Sequence, residues 1–182
     1  RESRLAPHGR TAMILAMRTG VALGSDLGDR LSSLRAARDL LVSLHEGGDP
    51  PAASPVYETD PVDCPPDTPD FLNAVVEIET SLDPARLLAM LSELERRLGR
   101  PGTRGKNAPR CLDADILYAG DLRRESGQVI IPHPRMTRRR FVMQPLCDIR
   151  PGLVLPGWRE AASRLLERLP EVPAVRIFAR QW

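Results

Sequence analysis

Cysteine is scarce and uneven in this sequence of 182 residues: Cys64, Cys111 and Cys147 form an odd set with no Cys-x-x-Cys spacing. That fits a reducing compartment better than a disulfide framework, with the thiols read as buried or incidental. Long apolar runs are also missing. The short run Ala12 to Met17 is interrupted by Arg18, which fits neither a membrane span nor a signal peptide, so a cytoplasmic protein with no membrane partner is expected. Nor is there an excess of charge of either sign. The 26 basic and 24 acidic residues leave a formal +2, which offers nucleic acid no global field and requires any basic patch to be local. Aromatic residues are few, at 4%, and internal repeats and interdomain linkers are absent.

What is abundant is proline, with 18 residues, many in connecting stretches that should therefore be long and stiff. The length, with an ordinary 42% of hydrophobic residues, suits one domain with a substantial core. That domain is assigned to residues 12–182, behind a disordered leader or expression remnant over residues 1–11. Ala12 to Leu23 reads as a buried first strand, broken by the glycine-bracketed turn Gly24 to Asp29. Leu27, Leu31, Leu34, Leu40, Leu41 and Leu44 then follow at helical spacing up to Gly47-Gly48.

Ala53 to Thr59 and Phe71 to Ser81 read as strands separated by a loop of prolines and aspartates. In the second, Leu72, Ala74, Val76 and Ile78 mark the core side. Phe71, Asn73, Val75, Glu77 and Glu79 share the other, which in most proteins would be an ordinary surface-facing set. Asp83-Pro84 opens a helix whose stripe runs from Leu87 to Leu98 and stops at Gly99. Farther on, Gln128 to Ile131 reads as a short strand, Phe141 to Ile149 and Trp158 to Leu169 as helices, and Val175 to Phe178 as a closing strand.

The chemistry concentrates in Arg110 to Gly120. As a strand, this segment puts Asp113 and Asp115 on one face and Leu112, Ala114, Ile116 and Tyr118 on the other. Adjacent like charges are tolerated if one is protonated, if basic side chains neutralise them, or if a divalent cation binds between them. Arg100, Arg104, Lys106 and Arg110 lie on the approach, which suits a polyphosphate with its magnesium. A solvated or capping Asp-x-Asp pair is the plainer alternative, and this pattern alone leaves it open. Phe71 beside Asn73 suits a flat heterocycle, read by stacking and hydrogen bonds. His133 is held between two prolines, and Arg135, Arg138, Arg139 and Arg140 form the densest basic patch.

Taken in order, Leu23-Gly24-Ser25-Asp26-Leu27-Gly28, Tyr57-Glu58-Thr59-Asp60-Pro61, Asp70-Phe71-Leu72-Asn73-Ala74, Pro109-Arg110-Cys111-Leu112-Asp113-Ala114-Asp115 and Ile131-Pro132-His133-Pro134-Arg135-Met136 through Phe141 resemble the 6-hydroxymethyl-7,8-dihydropterin pyrophosphokinase family of folate biosynthesis. The resemblance implies an α+β fold: a three-layer α-β-α sandwich on a ferredoxin-like core with an antiparallel-rich central sheet. It implies magnesium-dependent transfer of pyrophosphate from ATP to the pterin hydroxymethyl group, with AMP released. By position it assigns two magnesium ions to Asp113 and Asp115, with Arg100 and Arg110 joining them in catalysis. It assigns the pterin to Thr59, Val62, Phe71, Asn73 and Phe141. ATP falls to Leu88, Glu95, Arg100, Lys106, Arg110, Ile116, His133 and Arg139. The partners implied are these small molecules, and a neighbouring enzyme of the folate pathway is a further expectation.

The chain departs from the family pattern at several positions. Asp26 stands where Asn is usual, Asp60 where Pro is common, and Asn107 where an aromatic often sits. Ala108 replaces Gly, Gly102 falls where some members carry arginine, and Ala114 replaces the usual Leu between the two aspartates. Two other readings stand beside the enzyme: a catalytically silent homologue that binds pterin or nucleotide, and a two-metal nuclease or phosphatase using the Arg138 to Arg140 patch.

Overall fold

The computed structural model describes residues 15–61, 69–99, 110–172 and 174–182. The expected leader, Val62, Arg100 and Lys106 lie outside the described residues, as do Gly102, Arg104, Asn107 and Ala108. The elements are β1 (Met17–Ser25), α1 (Arg30–Ser43), β2 (Ala52–Ala53), β3 (Val56–Thr59), β4 (Phe71–Thr80), α2 (Pro84–Arg97), β5 (Asp113–Ala119), α3 (Arg140–Ile149), α4 (Ala162–Glu167) and β6 (Val175–Ala179). The strands form one sheet in the order β5-β1-β4-β3-β6, with β2 also on β4 and every pairing antiparallel.

That order defines the topology. β1 and β3, joined through α1, run in the same direction on either side of β4. β4 and β5, joined through α2, do the same on either side of β1. Two interleaved split β-α-β units of this kind make a ferredoxin-like core, and β6 extends it beyond β3. Both connecting helices lie on one face, where Leu34, Leu41, Leu87 and Leu91 meet Leu23, Leu72, Ala114 and Ile116 in a single buried cluster. On the other face α3 crosses β4 and β3, with α4 packed on it. Val75, Leu117 and Tyr118 meet Val142, Met143 and Leu146 there, completing three layers.

Local chemistry sets the element ends. The first helix begins at Arg30, later than the spacing of Leu27 suggests, because the Asp29 carboxylate accepts the Ser32 N–H and caps it. The first strand runs on through Gly24 to Ser25, two residues past the expected break. The strand expected over Ala53 to Thr59 is split at Ser54-Pro55. Proline has no N–H for the ladder, and the Ser54 hydroxyl instead accepts the Val75 N–H. Gln128 to Ile131 contributes only the bridge between Arg124 and Ile131, and the last helix is confined to Ala162–Glu167.

Two face assignments change. The Phe71/Asn73/Val75/Glu77 side of β4 is not a surface: α3 covers it, leaving Val75 and Glu77 at 0% and 3% exposure. Tyr118 does not share a face with Ile116. The β1–β5 register shifts, Val21 pairing with Ile116 and Gly20 with Tyr118, so Leu117 is an inserted bulge residue and Tyr118 turns toward α3. Its ring fills the space over Gly20, where an added Cβ would stand 2.3 Å from a ring carbon.

The bulge aims the Tyr118 hydroxyl at Glu77, to which it donates. The Arg150 guanidinium, just past α3, grips the same carboxylate through Nη2 at 2.6 Å and Nε at 2.9 Å, and Arg18 reaches it at 3.3 Å. Burying a carboxylate is costly unless it is paired this fully. Arg150→Ala should therefore cost about 2 kcal/mol or more, and Tyr118→Phe about 1 kcal/mol, read as midpoint shifts in urea unfolding.

Candidate active site

The C-terminal end of β1 and the N-terminal ends of β4 and β5 meet at one end of the sheet, below the start of α3. The open cleft between them is lined by residues including Gly24, Asn73, Asp113, Asp115, Arg139 and Phe141. Gly24 is its floor. A Cβ there would come within 3.4 Å of the Asn73 amide oxygen and 3.9 Å of Asp113 Cβ, narrowing the cleft between them.

On one side, Asn73 Nδ2 donates to Thr59 Oγ1 at 2.8 Å, and both residues are buried. The bond fixes the Asn73 amide and leaves its oxygen near Gly24. Phe71 is half-buried and pairs across the ladder with Thr59. Opposite, Phe141 is the second residue of α3, and the Arg139 guanidinium lies 5.6 Å from its ring centroid, a cation–π contact.

The two aspartates project from β5 with 40% and 42% of their side-chain surface exposed. Each has its own cation. Arg110 Nη1 donates to Asp113 Oδ1 at 2.7 Å, while Asp115 Oδ2 has His133 Nε2 at 3.8 Å and Arg139 Nη1 at 4.0 Å. Neutralisation by basic side chains is thus how this pair of like charges is tolerated. The His133 ring is oriented by its Nδ1, which accepts the Arg135 N–H at 3.2 Å and leaves Nε2–H facing Asp115. Burial pushes the imidazole below its ordinary pKa, aided by Arg139 and Arg135 and opposed by Asp115.

Beneath the strand, Glu95 is buried and accepts the Ala114 N–H at 3.0 Å. Ile116 lies in the core between the sheet and α1/α2, with Leu88 half-buried against the same cluster, so both side chains are on the far side of the sheet from the cleft. What Ile116 can present to a ligand is its backbone, on a strand that pairs with β1 alone among the described residues. Asp26 was not assigned a role by the sequence pattern, yet it binds the backbone of Arg110. Its replacement of a usual Asn was the only hint. Gly24 and Val142 also line the cleft, the glycine inside a quoted motif and Val142 without any signal.

Among the described residues no group of three or more His, Cys, Asp or Glu side chains converges on a metal position. Two hard carboxylate oxygens still fit magnesium, which keeps waters and takes phosphate oxygens for its other positions. No helix of the described residues is long and apolar enough to cross a membrane.

Fold and site together define a ferredoxin-like α/β domain with paired carboxylates, basic side chains and an aromatic wall around one cleft. Residues 20–151 match the family described as 7,8-dihydro-6-hydroxymethylpterin-pyrophosphokinase (HPPK), and the chain belongs to that family. It is 45% identical over 130 residues to the Bacillus subtilis 2-amino-4-hydroxy-6-hydroxymethyldihydropteridine pyrophosphokinase, covering 71% of this chain and 75% of that one. With the Pseudomonas aeruginosa enzyme of the same name it shares 37% over 163 residues, covering 86% of this chain and 99% of that one. The Schizosaccharomyces pombe folic acid synthesis protein fol1 is 35% identical over 159 residues, but the chain spans only 21% of its length. A solved wild-type Plasmodium falciparum HPPK-DHPS superposes with a TM-score of 0.65 at 14% identity, over 87% of this chain and 42% of that one, which shows the shared fold.

The His133 environment has a pH consequence. Its folded pKa lies below the ordinary 6.5, so the fold's preference for the neutral ring is fully present above that value and is lost as pH falls through the lowered midpoint. An NMR titration of the His133 ring should give a midpoint below 6.5, and His133→Gln should flatten the decline in stability over that interval.

Proposed function

We propose that this chain transfers pyrophosphate from ATP to the hydroxymethyl group of 6-hydroxymethyl-7,8-dihydropterin and releases AMP. The observation that carries the reading is the cleft itself, which brings an amide and an aromatic ring together with two cation-paired carboxylates. The family relationship points the same way.

In this reading the pterin bicycle stacks on Phe141, with Phe71 as the second ring, and presents its edge to Asn73. Thr59, by accepting from Asn73, keeps the amide in one orientation. Asp113 and Asp115 would hold magnesium, in the family's number of two ions, which supplies charge neutralisation of the polyphosphate when bound. Arg110 and Arg139, now spent on Asp113 and Asp115, would turn to the phosphate oxygens, for which a guanidinium is suited by its planar fork of donors. His133, neutral with Nε2–H directed into the cleft, donates there without adding charge. Positioning of this kind can account for most of the rate in phosphoryl-type transfer, where the protein has little covalent chemistry to perform. Val62, Arg100 and Lys106 are assigned to the same substrates by the family pattern alone, as are Leu88, Glu95 and Ile116 near the nucleotide. A neighbouring folate-pathway enzyme is a proposed partner, since the fol1 and HPPK-DHPS relatives are larger chains.

AMP release from ATP with magnesium should require the pterin. Release without pterin, or pterin binding with no AMP, would remove the transfer reading, the second outcome leaving a silent binding protein. Asp115→Ala should lower turnover by about 1,000-fold or more. Its circular dichroism and thermal midpoint should stay near those of the unmutated protein, because the side chain is exposed into the cleft.

A further inference from the structure

We infer that Asp26 is a positioning residue for the transfer, acting through the main chain of Arg110; the inference rests on the function proposed above. Asp26 follows β1 directly and is 2% exposed. It holds Arg110 at two points. Its Oδ1 accepts the Arg110 N–H at 2.7 Å, and its own N–H donates to the Arg110 carbonyl at 3.2 Å. Arg110 lies three residues before Asp113, the carboxylate to which its guanidinium donates.

The second grip on this segment comes from beneath. Glu95 Oε1 accepts the N–H of Ala114, the residue after Asp113. Asp113 is therefore bracketed by two main-chain N–H groups, each bound by a buried carboxylate from a different element. The negative charges of Asp26 and Glu95 also act on the Arg110 guanidinium, in addition to that of Asp113.

This arrangement answers a problem built into the cleft. A cation on Asp113 weakens that carboxylate's hold on Arg110, and the phosphates compete for the same guanidinium, so loading the site draws the guanidinium away. A long side chain released on an unfixed backbone could reach many positions. With the Arg110 main chain fixed by Asp26, the guanidinium moves to the phosphates from a set origin. A buried carboxylate is a costly way to accept backbone N–H groups, since burial disfavours its charge and the nearby Arg110 offsets only part of that. Local costs of this sort concentrate at functional sites. The family's usual Asn would supply the same acceptor oxygen without charge, so the acceptor is the part the role requires.

The experiment compares Asp26→Ala and Asp26→Asn, each alone and combined with Arg110→Ala, in steady-state assays of pterin-dependent AMP release. Asp26→Ala should lower kcat by about 10- to 100-fold, the effect of a small misplacement of a reacting group, while pterin affinity measured without nucleotide is unchanged. Asp26→Asn should stay within about threefold of the unmutated protein, and Asp26→Ala should change kcat by less than about threefold in the Arg110→Ala background, since the two act as one unit. Equal losses from Asp26→Ala in both backgrounds, or equal losses from Ala and Asn, would overturn the inference.

Hydrogen exchange of the Arg110 amide in the unmutated protein tests the clamp even if Asp26→Ala does not fold. Protection should persist when magnesium and α,β-methylene-ATP are added, and its disappearance would overturn the inference. No AMP from the unmutated protein would overturn the functional reading and the inference together. Full turnover by Asp26→Ala would overturn the inference alone.

Discussion

Two carboxylates two residues apart on one face of a strand repel each other, and much of the cleft end of this structure answers that repulsion. Arg110 is drawn onto Asp113, and His133 and Arg139 gather about Asp115. Those two cations and the neutral imidazole come from different parts of the chain: the entry to β5, the residue before α3, and the turn after β5. Once they are in place the remaining geometry follows. Arg139 stands two residues before Phe141 with its guanidinium over that ring, so the charge that answers Asp115 also contacts the aromatic wall of the cleft. The site is a set of ion pairs that a polyphosphate and its cation would exchange for others, at modest net cost, because charges are matched before and after.

The sheet is buried on both faces, and the two faces do different work. On the α1/α2 side the contacts are aliphatic and close, with Leu34, Leu41, Leu87 and Leu91 at 0% exposure, each contributing on the order of 2 kcal/mol by burial. The α3 side mixes Val75, Leu117 and Met143 with the ionic cluster of Glu77, Tyr118, Arg18 and Arg150. Because Arg150 lies at the far end of α3 from Phe141, the cluster fixes one end of the helix whose other end forms the cleft wall. A buried ionic grip adds little stability over apolar packing, but it has one geometry.

Periodicity made most of the architecture legible. The leucine stripe from Leu87 to Leu98 with Asp83-Pro84 before it, and the alternation of Leu72, Ala74, Val76 and Ile78, located α2 and β4 to within a residue or two. It misled where one residue broke the period. Nothing in Ile116-Leu117-Tyr118 announces a bulge, since all three are apolar enough for either face, and only pairing with β1 decides it. The α3 cover over Glu77 was hidden for the same reason, since it depends on a partner distant in sequence. Pro55, by contrast, was a visible signal for the break in the strand expected over Ala53 to Thr59. Within the site, Asn73, Asp113, Asp115, Arg139 and Phe141 were readable from motif order and do line one cleft. Asp26 was readable as an oddity but not as a contact, because its partner is the backbone of a residue 84 positions away.

The ring of Tyr118 over Gly20 has an evolutionary consequence. Any side chain at Gly20 collides with that ring, whereas shrinking Tyr118 first would open a void and orphan a hydrogen bond to Glu77. Neither position can change alone without loss, so β1 and β5 are bound to co-vary here. A lineage could cross from this pairing to a larger residue on β1 with a smaller one on β5 only through a less stable intermediate, and the glycine is held in place by a neighbour's bulk rather than by its own backbone.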